Sequence, residues 1–513
     1  MTGQYSRLAS ACNSILSFTS VLVLVGCASN AVNMAPASSD QPWIPGNNED
    51  GTLWSLSRGN QRTSADAIPN FTIPVNPERA KLVQNEWIDF RRSYGLPELI
   101  DLAQRTNPKT RAAWQQARQA AIAVGMVEAT YLPIIAASVV AGTQTLTVPL
   151  PDLLGNTDVE NTEKGTTQVI SLQWLLFDFG QRESLVEETK HVAIAANILF
   201  NGSHQRVIFE VSQAYYAYGA AIQRSIFAGK AFHNAEMIQV AVEARAAQGI
   251  ATSIEVIQAR QAVAQAELRR VQAKGDERVA YQNLLAAVGV NAELKVDAQR
   301  VASKALPTPY ASSLDELIRQ ALSQRPDVAA SYAALQASKA GIDAAKAGYL
   351  PKVYLGGNIS WGSGNFDASG LPSIGQQGNG SGVLLGITVP IYDGGLRDAQ
   401  IREAKSKAET AADEFQSVQT AAVTEIVAAY NALKISLESY QAASALVAAA
   451  STTYEATLAA YRNGVGTIDA VTTADTALLD AQQAQGDAHA AALASSINLA
   501  FVVGALTSRE YEL

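Results

Sequence analysis

Two cysteines in 513 residues leave nothing from which to build a disulfide framework or a thiolate metal cluster. Histidine is almost as scarce, and His191, His204, His233 and His489 lack the close pairing that metal sites use. Neither a Gly-x-Ser-x-Gly elbow nor a phosphate-loop pattern occurs, so no catalytic residue, metal or cofactor is expected. A basic excess is missing too: 38 Lys and Arg against 47 Asp and Glu give a net charge of −9, the wrong sign for a nucleic-acid partner. After residue 30 there is no run of about 18 to 20 apolar residues, which excludes a polytopic helical membrane protein. Charged residues make up only 17%, against roughly 25% in ordinary soluble domains. What is there instead is apolar: 48% of the chain, much of it alanine, enough for a large core and incompatible with wholesale disorder.

The amino terminus reads as a targeting segment. Arg7 precedes an apolar stretch from about Ile15 to Val25, which closes in Leu24-Val25-Gly26-Cys27. A short apolar run followed by small residues predicts a signal peptide over 1–26, too short to span and remain. The Leu-x-Gly-Cys ending resembles the bacterial lipobox, which implies that Cys27 becomes the lipidated, palmitate-bearing first residue of the mature chain. The alternative is an ordinary signal with an incidental cysteine. Ala28 follows, so the Asp that retains such lipoproteins in the inner membrane is absent. Residues 27–90, rich in Ser, Asn, Pro and Gly without a sustained period, read as an extended linker.

The remainder is written twice. Leu96-Pro97-Glu98-Leu99-Ile100 returns as Leu314-Asp315-Glu316-Leu317-Ile318, and the same offset of 218 carries Pro108 to Pro326 and Tyr131-Leu132-Pro133 to Tyr349-Leu350-Pro351. Beyond a polar stretch the offset becomes 215. It takes Phe177-Asp178-Phe179-Gly180 to Tyr392-Asp393-Gly394-Gly395, Gly249 to Gly464 and Gly289 to Gly504. Chance similarity between Ala-rich helices would not keep Pro, Gly and Asp landmarks in step, so an internal tandem duplication is expected. It divides the chain into a first repeat over 91–290, a linker over 291–313, a second repeat over 314–506 and a tail over 507–513. Each repeat should run helix, strand hairpin, very long helix, return helix. Ser312 or Ser313 with Glu316 predicts a capping-box start, and Pro108 and Pro326 predict breaks in the opening helices.

The strand segments alternate with period two. Ile170, Leu172, Trp174 and Leu176 form one apolar face in the first repeat; Val353, Leu355, Ile359, Leu385, Ile387 and Val389 form it in the second. The offsets map apolar face onto apolar face, which a one-residue slip would reverse. Each run is about 10 residues, the length with which a tilted strand crosses a bilayer. The polar stretches 147–166 and 362–381 read as water-exposed loops. A half-buried soluble sheet alternates in the same way and stays open as an alternative. Lipid, however, tolerates no open sheet edge, and four strands cannot close a barrel that needs about eight. A lipid-facing sheet therefore requires several subunits.

No proline occurs from Gly180 to Gly249 or from Gly395 to Gly464. If helical, each stretch is roughly 100 Å long. Val423, Ile426, Tyr430, Leu433, Leu437, Tyr440, Ser444, Val447, Ser451, Tyr454, Leu458 and Tyr461 step by 3 and 4 in turn, a coiled-coil seam.

The repeated Tyr-Leu-Pro, Pro390-Ile391-Tyr392-Asp393-Gly394-Gly395 and Tyr461-Arg462-Asn463-Gly464 resemble the TolC-like outer membrane efflux proteins, over about residues 96–506. The resemblance implies a mixed α/β membrane protein: a homotrimer whose subunits each give four strands to a twelve-stranded barrel, continued by a long helical coiled-coil tunnel across the periplasm. It implies an outer-membrane, lipid-anchored exit duct for small molecules, working with an inner-membrane pump and a periplasmic adaptor. A duct for type I protein secretion is the alternative within the family, and a lipid-anchored periplasmic scaffold without a pore the alternative outside it. The resemblance places adaptor docking at the tips, with Gly249, Thr252, Gly464, Thr467, Ile468 and Val471. The family's acidic gate would fall at the sixth and ninth positions after Gly464, which here are Ala470 and Thr473, so Glu255 and Asp469 are the displaced candidates.

Overall fold

The structure is a computed structural model that describes residues 93–149, 158–291, 313–368 and 373–506, with the short pieces 46–47, 53–54, 297–298 and 306. The expected signal peptide, Cys27 and the tail 507–513 lie outside the described residues. The chain divides into two units, Met1–Glu86 and Trp87–Leu513. In the first, Gly46–Asn47 pairs antiparallel with Leu53–Trp54. All that follows concerns the second.

Each half opens with two short helices broken at a proline: α1 (Leu96–Thr106) and α2 (Pro108–Glu128), then α5 (Leu314–Gln324) and α6 (Pro326–Ala347). Pro108 and Pro326 sit in the first turn of α2 and α6, where the missing N–H has no partner to lose. Asn107 caps α2 by accepting from Lys109 N at 2.9 Å. At the start of α5, Ser313 Oγ accepts from Glu316 N at 3.3 Å.

Four long strands follow the opening helices in pairs: β1 (Ile134–Pro149), β2 (Asp158–Phe177), β3 (Lys352–Ala368) and β4 (Ile374–Thr388). They form one antiparallel meander in that order, so the β2–β3 ladder joins the two halves. Its edges, β1 and β4, each have a ladder on one side only. With 16, 20, 17 and 15 residues, the strands exceed the expected length. Most of the polar stretches 147–166 and 362–381, expected as loops, extend the ladder. Backbone pairing satisfies N–H and C=O groups whatever the side chains are, and Thr, Asn and Gly suit a polar strand as well as a loop.

After each hairpin comes a helix of 67 residues, α3 (Gln181–Ala247) and α7 (Leu396–Arg462), about 100 Å long. The chain turns at Gly249 (φ 73°) and Gly464 (φ 78°) and returns as α4 (Ser253–Val288) and α8 (Ile468–Val502). Every residue of the expected α7 seam is buried or half-buried, and Ser444 accepts across it from Gln485 of α8 at 3.1 Å. The cores are thin and distributed. Leu99 and Ile100 of α1 pack with Val207 and Val211 of α3 and Leu284 and Leu285 of α4. Leu317 of α5 packs with Ile426 and Leu433 of α7 and Leu499 of α8. A third cluster closes the tips.

Candidate functional site: the sheet faces, the turn below them and the tips

Residues opposed across an antiparallel ladder share a face. The ladders align Ile135 with Leu172, Gly357 and Val383, and Ala137 with Ile170, Ile359 and Ser381. Trp174 opposes Leu355, which opposes Leu385, and Val353 opposes Ile387. Thus Ile170, Leu172, Trp174, Val353, Leu355, Ile359, Leu385 and Ile387 occupy one face, as the alternation predicts. Val383, which the alternation of the second repeat also puts there, lies on this face and is 81% exposed in the single chain; Ile135 and Val139, on a strand whose alternation the sequence does not single out, complete it. Two expected members depart. The ladder slips between Leu175 and Phe177, so Phe177, not Leu176, opposes Val353. Leu176 is the extra residue of a β-bulge, which reverses the side-chain parity beyond it. Val389 lies one residue past the end of β4.

From Val353 to Trp361 this apolar face runs about 26 Å along the strand. Beyond it the same face carries Thr143, Lys164 and Asn365. The opposite face carries small and polar residues, Ser138, Ser171, Gln173, Asn358 and Ser360, with Ile134, Val140, Val169, Leu175, Tyr354 and Leu384 as exceptions. Across it Gly142, Gly165 and Gly364 stand in line. A Cβ at Gly165 would come within 2.6 Å of the Ser363 carbonyl oxygen, and one at Gly364 within 2.7 Å of that of Lys164, so this approach requires glycine.

The turn from β2 into α3 is tied by a buried ion pair. Asp178 Oδ2 accepts from Arg182 Nε at 3.0 Å and from Arg182 N at 2.9 Å. The same guanidinium donates to the carbonyls of Thr130 (2.9 Å) and Leu176 (3.3 Å) and stacks on Tyr131. The repeat marks out the Asp of this motif at 178 and 393; the Arg four residues on, which repeats as Arg397, is the partner that the landmarks alone do not single out.

At the tips, Thr252 Oγ1 accepts from Glu255 N at 3.2 Å, and Glu255 Oε1 accepts from Thr252 N at 3.5 Å. The candidate gate residue Glu255 is therefore half of a capping box. Asp469 is exposed in the first turn of α8, where Thr467 Oγ1 accepts from Ala470 N at 3.3 Å. Ile468 and Val471, expected at the docking surface, are 2% and 0% exposed. They pack with Ile238, Val242, Ala259 and Tyr461 and hold the two hairpins together from within. The apolar side chains that the tips present outward are Ile250, Ile254 and Val465. Arg245 Nη1 donates to the Tyr461 carbonyl at 2.9 Å and its guanidinium lies over the Tyr461 ring. Higher between α3 and α8, Asn234 Nδ2 donates to Asp475 Oδ1 at 3.1 Å. Burial pushes the Asp475 carboxyl above the usual range, partly opposed by that hydrogen bond. Among the described residues no three His, Cys, Asp or Glu cluster as metal ligands, and no helix is long and apolar enough to cross a membrane.

A sequence model described as "Outer membrane efflux protein" matches this chain twice, over residues 99–290 and 317–505. The chain belongs to the outer membrane efflux protein family. Its two matched segments coincide with the two halves of the fold. Among relatives, the chain is 25% identical to Protein CyaE of Bordetella pertussis over 353 residues, 68% of this chain and 70% of that protein. It is 26% identical to outer membrane protein OprJ of Pseudomonas aeruginosa over 291 residues, 56% of this chain and 59% of that protein. Of solved structures, the channel CusC superposes with a TM-score of 0.67 at 20% identity, covering 82% of this chain and 95% of that one. The outer membrane channel CmeC of Campylobacter jejuni does so with a TM-score of 0.68 at 20% identity, covering 83% and 90%. The fold is thus that of outer-membrane efflux channels.

Proposed function

We propose that this chain is one third of a passive exit duct in a bacterial outer membrane. Three copies, each the product of an internal duplication, would pool their strands into a twelve-stranded barrel with the long helices as a tunnel below. The observation that carries the reading is the sheet: one face apolar over about 26 Å, against the roughly 25 Å lipid band of outer-membrane barrels, with both edges unpaired. Unpaired backbone in lipid costs several kcal/mol per group, so β4 of one copy must pair with β1 of the next until the ring closes. A poreless scaffold gives no reason for this coincidence. Pro-efflux function is supported by relatives, among them the "toluene efflux pump outer membrane protein TtgC" of Pseudomonas putida, 25% identical over 335 residues.

In this reading the energy comes from an inner-membrane pump, linked by a periplasmic adaptor that docks on the tips at Gly249, Thr252, Gly464 and Thr467 and on the exposed Ile250, Ile254 and Val465. Glu255 and Asp469 would line the lower opening. Removal of the signal peptide and acylation of Cys27 add a lipid anchor, so Cys27→Ser abolishes acyl labelling. The decisive experiment is extraction in detergent followed by reconstitution. Heat-modifiable trimers that conduct ions across planar bilayers are expected; recovery as a water-soluble, non-conducting monomer overturns the duct.

A further inference from the structure

We propose that Arg206 makes the crevice where the two repeats meet a way-station for organic anions with an apolar body. This rests on the duct reading above and adds a class of cargo that the bore wall can hold.

The crevice measures about 620 Å³, within the range of small-molecule sites. It opens where the start of α6, at Pro326, meets the end of α8, at Phe501 and Val502, against α3. Gly202 of α3 allows this seat, since a Cβ there would come 3.1 Å from that of Pro326. Leu199, Val207, Phe501 and Val502 give the crevice an apolar wall, and charged side chains reach it from both repeats.

Three cations line it, and two are committed. Arg325 donates to the two carboxylate oxygens of Asp327 at 3.0 and 2.6 Å, to Glu425 Oε2 at 2.7 Å and to the Val502 carbonyl at 3.0 Å. Lys109 Nζ meets Glu210 Oε2 at 2.7 Å. Arg206 is exposed and, among the described residues, makes no ion pair. Its guanidinium lies 5.0 Å over the Phe501 ring, which itself stacks on Phe209 at 4.8 Å. A guanidinium propped on a ring keeps its N–H fork for a carboxylate or a sulfonate. A free cation beside an apolar wall sets the ligand class: an anionic group on a hydrophobic body. In a chain of net charge −9, the site is a local reversal of sign.

The crevice faces the bore. Ile208 of α3 belongs to the cluster of Leu99 and Ile100 of α1. At about 100° per residue, Leu199, Arg206 and Glu210 lie about 160° to 180° around α3 from Ile208. The crevice and α1 are therefore on opposite faces of the wall. Four wall helices per copy (α2, α3, α6 and α7) give twelve in three copies. At about 9 Å between axes they enclose a bore about 25 Å wide. The α1 and α5 helices of three copies, each about 10 Å thick, cannot fit there beside a passage. Thus α1 stands outside and Arg206 inside. The second repeat has Ala421 at the matching position, so each copy contributes one such cation.

The test is single-channel recording in planar bilayers of phosphatidylcholine, where no anionic lipid competes. Naphthalenesulfonate should block the parent reversibly, and methanesulfonate, which lacks the apolar body, should need a far higher concentration. Arg206→Gln should raise the naphthalenesulfonate concentration for half block by about fivefold or more. It should also shift the reversal potential in a KCl gradient toward cation preference. Arg206→Lys, which keeps the charge and loses the planar fork, should fall between. Naphthyltrimethylammonium, the same body with the opposite charge, should block the Gln variant at least as well as the parent. The inference is overturned if Arg206→Gln conducts and leaves the sulfonate block unchanged, or weakens both naphthyl probes alike. It is overturned too if methanesulfonate blocks as well as naphthalenesulfonate. In each case the duct survives. A protein that passes no current overturns duct and way-station together.

Discussion

The same turn is built twice, Asp178 to Arg182 before α3 and Asp393 to Arg397 before α7, and its surroundings make the two unequal. In each, the Asp carboxylate accepts from the backbone N–H and the guanidinium of the Arg four residues on. In the first, both side chains are 7% exposed and the Arg reaches two carbonyls and the Tyr131 ring. In the second, Arg397 and Asp393 are 28% and 20% exposed. A repeated motif thus specifies the local geometry of the turn, while the depth to which it is buried decides how much stability it carries.

The comparison can be broken directly. Arg182→Ala leaves the buried Asp178 without its counter-charge, holding only the backbone N–H of the turn, and two carbonyls lose their donor; a loss of about 3 kcal/mol or more is expected. Arg397→Ala should lose about 1 kcal/mol, as partly exposed pairs do. The midpoints of thermal loss of helical circular dichroism in detergent give the difference. Equal losses would show that burial around Arg182 contributes nothing. Arg182→Lys sharpens the result, since it keeps the charge but not the planar fork, and should fall between.

The opening helices show the same divergence and how far it could be read in advance. Asn107 and Arg325 occupy equivalent caps, and each donates to the end of its return helix: Asn107 Nδ2 to the Ala287 carbonyl at 3.1 Å, Arg325 Nη1 to that of Val502 at 3.0 Å. Proline at Pro108 and Pro326 announces the helix starts, because ring closure acts on the backbone locally. The proline-free 67-residue helices and the strand parity are equally local in origin. What the sequence does not disclose depends on neighbours. The bulge at Leu176 follows from pairing with Val353, and the burial of Ile468 and Val471 from the packing of α3 and α4 against them. Strand length escaped because Gly, Thr and Asn suit loop and polar strand alike. Glu255 is different: Thr252-x-x-Glu255 spells a capping box, and that signal stood in the sequence beside the gate reading.

A second test follows the α3–α8 seam by pH. Burial raises the Asp475 carboxyl, and Lys230 and His233 of α3 line the same crevice, while Tyr454 of α7, itself raised by burial, is pushed further by Asp475. A carboxyl raised in the folded state favours that state while protonated. Its stabilising effect is whole below the ordinary Asp value and is lost as pH rises through the raised one. The intrachain seam should therefore weaken from mildly acid to neutral pH. Asp475→Asn keeps a hydrogen-bonding side chain for Asn234 and removes the charge. It should match the parent at low pH and exceed it at pH 7 by on the order of 1 kcal/mol, read from hydrogen exchange along α8. A parent and variant that stay parallel across that range would locate the pH response elsewhere.

The smallest expected difference lies at the tips, where one return helix has a complete capping box and the other half of one. Thr252 and Glu255 satisfy each other's backbone N–H at the start of α4, whereas Thr467 of α8 faces Ala470 in the place of the glutamate. Glu255→Ala should reduce α4 to the level of α8, and Ala470→Glu should raise α8 to that of α4, each by about 0.5 kcal/mol. Amide exchange in the first turns of the two helices measures both on one sample. Because Glu255 serves the cap, its removal should loosen the turn before it alters conduction. Asp469 takes no part in the cap and acts on the helix start only through the dipole, so Asp469→Asn should lower cation preference in planar bilayers while changing the exchange of the α8 start by only about 0.3 kcal/mol. If Glu255→Ala leaves exchange untouched and shifts cation preference as far as Asp469→Asn does, the carboxylate acts on the passage and not on the helix end.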